Sequence, residues 1–308
     1  MKITVLIDDF DYILSDPYQS QLHSRLKIEH ECQYVTLQDL LESKARPLHE
    51  NIFIAVRCRH VVTYRHKISS WVDKRSCVIQ DYDPWVFMGD DTPHTGGYEK
   101  IINSINNCSF AIPNNFWCKI VKKTYGVKTI PFRLGMSPGL CNTNSWKNRT
   151  KILEFRGSSY PIREKNFNKL QSIIPVNWNK EKIYPYKDFL NYLSDVKIWA
   201  HDESEEVMFR GIPYCRNWLW PKALEVLSRG CFLIRDWQQE SSWYEIDKLP
   251  TSFLYNDVKD SKQLLENILL MQDDERNDRI CETIKWIKSK DFYGKICEEM
   301  NFWWQNER

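Results

Sequence analysis

A chain of 308 residues with 42% apolar and 27% charged residues and a net charge of +2 has the make-up of a globular protein, long enough for two domains that each bury a core. No apolar run approaches the roughly 20 residues of a membrane-spanning helix, and the near-neutral charge gives no reason on its own to invoke a polyanion partner. Ten cysteines without a Cys-x-x-Cys pair exclude a zinc knuckle and a disulfide framework and point to buried, reduced thiols.

The apolar run Ile3 to Ile7 predicts a first strand. It is too short for a signal peptide and is followed by Asp8 and Asp9, so the expected compartment is the cytoplasm, or the host cytoplasm if the protein is viral. Asp16-Pro17 opens a helix through about Ile28, and Gln33 to Leu37 predicts a strand with a short helix over 38–43 behind it. Asn51 to Cys58 is a strand, Val62 to Val72 a helix and Ser76 to Gln80 a fourth strand. Residues 81–97 break this rhythm with a polar loop rich in Gly and Pro, the kind of long post-strand loop that carries function. Helix, strand, helix and strand then return over 98–105, 109–112, 115–125 and 127–132, with Asn114 and Gly126 as caps of the second helix. Such alternation predicts a parallel sheet with helices on both faces, a Rossmann-like first half.

The polar run 136–149 reads as a linker, after which the alternation restarts. Strand 151–155, helix 162–174, helix 186–193 and strand 197–200 precede a polar loop over 202–216. Next comes the stretch Trp218 to Trp237, in which Pro221 suits a first helical turn, Ala223, Leu224 and Leu227 form an apolar stripe, Gly230 takes the C-terminal cap and Cys231 to Ile234 extend. Glu225 alone interrupts the stripe, and Arg235, Asp236 and Gln238 form a polar rim after the strand. Helices over 261–271, 275–289 and 292–304 end the chain, and Phe292, Ile296, Met300 and Trp304 recur every four residues as a docking stripe.

A glutamate five residues ahead of a glycine and then an apolar strand resembles the nucleotide-sugar domain of GT-B glycosyltransferases. The resemblance covers nearly the whole chain as a pattern and implies two Rossmann-like domains facing across a cleft. The domains expected are an acceptor domain at 1–135, a linker at 136–149, a donor domain at 150–290 and a last helix at 291–308 crossing back to the first domain. The implied activity is transfer of a hexosyl or pentosyl group from a nucleotide-diphosphate sugar, a UDP-sugar above all, to a hydroxyl, with retention and without a metal or other cofactor.

On that resemblance Glu225 takes the ribose hydroxyls. The position eight residues earlier, an acid in many retaining enzymes, is Asn217 here, which departs from the pattern at the sugar contact. Ser158 and Ser159, followed by Arg163 and Lys165, match the turn where amides and cations meet the diphosphate; Arg210, Arg216 and Lys222 are further donor-side cations. On the acceptor side Asp81 and Asp83 end the fourth strand in Gln-Asp-Tyr-Asp-Pro, a segment similar to one in phage DNA glucosyltransferases. Either acid would orient or deprotonate the acceptor hydroxyl, with His94 as the next base; an Asx turn before Pro84 is the plain structural alternative. A glycan or a modified DNA base is the implied acceptor. DNA itself is a further candidate partner through Arg57, Arg59, His60, Arg65, His66 and Lys67, with Lys119, Lys122 and Lys123. A non-catalytic nucleotide-sugar binding module and a DNA-binding protein are the rival readings.

Overall fold

The computed structural model describes residues 1–90, 92–142, 144–181, 183, 185–217 and 220–306. Its elements are, in chain order, β1 (Lys2–Ile7), α1 (Phe10–Ser15), α2 (Pro17–Glu29), β2 (Glu31–Thr36), α3 (Leu37–Leu41), β3 (Asn51–Ala55), α4 (Cys58–Val72), β4 (Ser76–Gln80), α5 (Pro84–Met88), α6 (Gly97–Ile102), β5 (Cys108–Ile112), α7 (Asn115–Tyr125) and β6 (Thr129–Pro131). There follow β7 (Lys151–Arg156), α8 (Pro161–Gln171), β8 (Asn177–Asn179), α9 (Tyr186–Leu193), β9 (Val196–His201), β10 (Glu206–Phe209), β11 (Ile212–Cys215), α10 (Trp220–Ser228), β12 (Phe232–Asp236), α11 (Gln239–Trp243), β13 (Ser252–Tyr255), α12 (Ser261–Leu270), α13 (Asp273–Lys288) and α14 (Phe292–Asn306). Trp218 and Leu219, at the head of the motif stretch, lie outside the described residues. Among the described residues no helix is long and apolar enough to cross a membrane.

The chain divides into two units. Met1–Leu134, Val207–Tyr214 and Phe292–Arg308 make the first, Gly135–Glu206 and Cys215–Asp291 the second. The first is built on a six-stranded sheet in the order β2-β1-β3-β4-β5-β6 and the second on a five-stranded sheet in the order β13-β12-β9-β7-β8; all their strand pairs are parallel. Strands Asn51–Ala55 and Phe232–Asp236, apolar except for Asn51 at the start of one and Arg235-Asp236 at the end of the other, are buried along their whole length, as strands covered by helices on both faces are.

Local chemistry sets many of the boundaries. Asp16 accepts from the amides of Tyr18 and Gln19 to start α2 at Pro17, and Asn114 and left-handed Gly126 close the two ends of α7. The motif helix α10 ends at Gly230, whose φ is +76° and where a Cβ would stand 2.5 Å from Nη2 of Arg149. Only glycine fits both conditions.

Two stretches differ from their expected form. Residues 136–149 are held inside the second unit rather than between units: Arg149 is buried and its guanidinium donates to the carbonyls of Asn144, Val196 and Arg229 at 2.9, 2.8 and 2.8 Å. The polar loop 202–216 contains a hairpin, β10 and β11, whose two turn residues Arg210 and Gly211 have φ of +51° and +72°. Asp90 accepts from both turn amides at 2.9 Å, and Tyr214 packs with Phe116 and Trp117 of the first unit and with Phe209 of the hairpin itself. In α14 the stripe Phe292, Ile296, Met300 and Trp304 is buried, and the helix packs on α2 of the first unit.

Candidate functional site

In open parallel sheets, ligands gather where strands deliver their carboxyl ends. Each unit places a polar constellation there.

In the first unit the ends of β3 and β4, the helices that follow and the loop after α5 enclose a cavity of about 410 Å³. Asp81, Asp83 and His94 all line it. Asp81 is 1% exposed; its Oδ2 accepts from the Tyr98 hydroxyl at 2.6 Å and its Oδ1 from the Asp83 amide at 3.0 Å. Burial raises its pKa, and the bond from Tyr98 only partly opposes that rise. The amide bond is the Asx turn that the sequence allows, so the structural reading holds, and Asp81 is a lining residue of the cavity all the same. Asp83 is exposed at the rim, and His94 meets the ring of Phe87 edge-on at 6.4 Å.

Arg57 and Arg59 of the basic cluster also line this cavity, and Tyr12, Gln19 and Cys58, which the sequence does not mark, complete the wall. Arg57 lays its guanidinium over the ring of Tyr12 at 4.2 Å, while its amide donates to Asp8 at 2.9 Å. Asp8 also bonds Nδ1 of His60 at 2.6 Å, so the Asp8-Asp9 corner organises the start of α4. The Cys58 thiol donates to the Gln80 carbonyl at 3.1 Å, and burial pushes its pKa well up, which keeps it a thiol. Gln80 in turn accepts from Gln19 at 3.2 Å. Within the basic cluster, Arg65 donates to its own helix at Val62 and Lys67 to the Leu41 carbonyl, while His66 and the α7 lysines 119, 122 and 123 are exposed.

In the second unit Glu225 is fully buried. Its carboxylate accepts from the hydroxyl of Tyr186, the first residue of α9, and from the ammonium of Lys222 one turn earlier in α10. Lys222 also lies 4.3 Å from the ring centre of Phe189. Asn217 is buried with a φ of +52° and donates to the Cys215 carbonyl at 3.1 Å. Arg163 turns inward from the first turn of α8, bonding the Ser158 carbonyl at 2.9 Å and Glu203 at 2.8 Å. Ser158, Ser159 and Lys165 are exposed beside it, with the Ser159 hydroxyl on Glu164. Arg216 pairs with Glu205, which also accepts from Tyr160.

Arg210 is not part of this group. It sits at the hairpin tip in the first unit, with its guanidinium 5.2 Å from the ring of Phe209. Conversely, sequence reasoning passes over Glu203 and Glu205, buried acids after β9 that face the arginines. The one available signal is the acid-rich run His201-Asp202-Glu203-Ser204-Glu205-Glu206 directly after an apolar strand.

The sequence matches no protein-family model and no curated protein. Solved structures do share its fold. The chain is similar to an α,α-trehalose-phosphate synthase (UDP-forming) from Burkholderia vietnamiensis, with 10% identity and a TM-score of 0.61 over 98% of this chain and 100% of that one. It is similar to HepE of Anabaena in a complex with UDP and glucose, with 11% identity and a TM-score of 0.61 over 98% of each chain. TarM matches over 82% of this chain and 54% of its own length, with 10% identity and a TM-score of 0.57. The fold is GT-B, with two Rossmann-like units in one chain.

Proposed function

We propose that the protein is a glycosyltransferase that moves a sugar from a UDP-sugar to an acceptor hydroxyl, with retention at the anomeric carbon. The second unit binds the donor. Glu225 accepts from the ribose hydroxyls, and Arg163 with the amide-rich turn at Ser158 and Ser159 receives the diphosphate, assisted by the partial positive charge of the α8 N-terminus. Lys165, Arg216, Asn217 and Lys222 stand around that donor. The acceptor enters the first-unit cavity, where Asp81 accepts the hydrogen bond of the attacking hydroxyl and orients it, with Asp83 and His94 at the entrance.

The observation that carries this reading is the placement of Glu225. A fully buried carboxylate persists only when it is partnered, and its partners are a tyrosine hydroxyl and an ammonium, groups that hydroxyls of a ligand can join or replace. The neighbours named for UDP support the choice of nucleotide. A thermal-shift panel of UDP-, GDP- and dTDP-glucose tests it. The UDP-sugar should stabilise the wild type by about 2.7 kcal/mol at a hundredfold excess over its dissociation constant, and Glu225→Gln should abolish that shift. Indifference of the wild type to all three would end the donor reading. An inverted product in NMR would remove retention alone.

A further inference from the structure

Arg163 and Glu203 form a buried pair that is incompletely satisfied on both sides. Glu203 is 1% exposed. Its main chain is fixed from β12 and beyond, its amide donating to Asp236 at 2.8 Å and its carbonyl accepting from Gln238 at 2.7 Å. Among the described residues its side chain has a single bond, from Nη2 of Arg163 to Oε1 at 2.8 Å. Oε2 of Glu203 and Nε of Arg163 are buried with no partner among the described residues. A buried ion pair normally fills its remaining lone pairs and protons; here one acceptor and one donor are left over.

The charges that face Glu203 come from every element around it: Arg163 from α8 with Tyr160 just ahead of it, Glu205 from its own loop, Arg216 from the segment after β11, and Arg235 and Asp236 from β12. Burial pushes the Glu203 carboxyl up to about 7, with the pull of Arg163 and the push of Glu205 following in size. His201, beneath the same site, is held far below its ordinary range by burial and by Arg235, Arg163 and Lys222. It therefore stays neutral and does not compete for a proton near pH 7.

We infer that Glu203 is a proton-linked counter-ion for the donor: in the free protein it holds the Arg163 guanidinium, and a nucleoside diphosphate that takes over this guanidinium does so with uptake of one proton by Glu203. This rests on the reading that α8 receives the diphosphate. Two anions sharing one guanidinium in a buried site repel strongly, and protonation relieves the repulsion. One O–H bond forms at Oε2 with a proton from solvent, no bond of the ligand breaks, and the neutral acid still accepts from Arg163 through Oε1. Glu203 is thus a positioning residue that acts through Arg163.

Calorimetric titration with UDP-glucose, whose diphosphate diester has no ionisation near neutral pH, tests this in buffers of different ionisation enthalpy. At pH 8 the wild type should take up about one proton per ligand, and its dissociation constant should rise about tenfold per pH unit above 7. Glu203→Gln should bind with pH-independent affinity and without uptake, an outcome that a merely structural role does not produce. Binding by the wild type with no proton exchange and a flat profile from pH 6.5 to 8.5 overturns the inference and leaves the donor reading standing, as does uptake that persists in Glu203→Gln. Absence of binding to UDP-, GDP- and dTDP-glucose alike overturns both. The wild-type buffer series decides by itself if Glu203→Gln does not fold.

Discussion

Asp81 stands at the end of β4 with one oxygen on Tyr98 and the other on the Asp83 amide, and burial holds its carboxyl above the ordinary range. As a hydroxyl-orienting group it must be ionised, so transfer is expected to fall as pH drops through this raised value, with the acid limb of kcat/KM above the roughly 3.9 of an ordinary aspartate. Stability runs the other way. The folded protein holds the Asp81 proton more tightly than the unfolded chain, so this group's contribution declines as pH rises from the unfolded value through the folded one and stays low above it. Asp81→Asn, neutral at every pH, should therefore reduce transfer by about 10²- to 10⁴-fold while leaving the melting temperature at pH 7.5 unchanged or higher and UDP-sugar binding intact. A variant that melts lower and transfers normally would make Asp81 a structural residue. The Asp-x-Asp after an apolar strand marks this acid in the sequence. Tyr98 and Cys58, which complete its surroundings, carry no local sign because they arrive from other elements.

Elements whose signals are local are legible from the sequence, and those fixed from a distance are not. Helix α7 runs over 115–125 as its caps predict, and α9 over 186–193 as expected. Helix α4 begins at Cys58 rather than Val62, because Asp8, 49 residues from Arg57, holds the amide of that N-cap residue and the ring of His60 in the first turn. Strands β8 and β13 have only three and four residues at the sheet edges, too short to show a period. The hairpin β10 and β11 escapes notice because Arg210 occupies a positive-φ turn position that usually signals itself as Asn or Asp. Asp90 supplies what the turn lacks, so Asp90→Ala should speed trypsin cleavage after Arg210 while the global melting temperature stays close to that of the wild type. Unchanged cleavage would show that the aromatic contacts alone secure the hairpin. The last helix offers a paired test. Trp304 is 1% exposed and Phe302 66%, so Trp304→Ala should cost about 3–5 kcal/mol in urea unfolding and Phe302→Ala less than about 0.5 kcal/mol.

The path of the chain determines which part of the molecule stands alone. It passes from one unit to the other at 134–135, 206–207, 214–215 and 291–292, so the first unit is assembled from three separate segments and the second from two. The second unit lacks only the excursion 207–214, and the ends of that excursion are already together, the Arg216 amide donating to the Glu205 carbonyl at 2.8 Å. Residues 135–291 with 207–214 replaced by two glycines therefore keep the whole five-stranded sheet, Arg149 on its carbonyls, and the Glu225 and Arg163 groups. Residues 1–134 lose α14, the helix that packs on α2, and the excursion 207–214, whose Tyr214 packs on Phe116 and Trp117, so apolar surface buried in the intact chain is uncovered. The first fragment is expected to melt cooperatively and to bind the UDP-sugar within about threefold of the intact affinity, roughly 0.7 kcal/mol, with no transfer. Residues 1–134 are expected to be unfolded or aggregated, since apolar surface of this kind is a driver of association once uncovered. The two circular dichroism melts and one titration decide it: an unfolded 135–291 fragment would mean that the second unit draws its stability from the rest of the chain, and a folded fragment that ignores the UDP-sugar would move the donor site out of this unit.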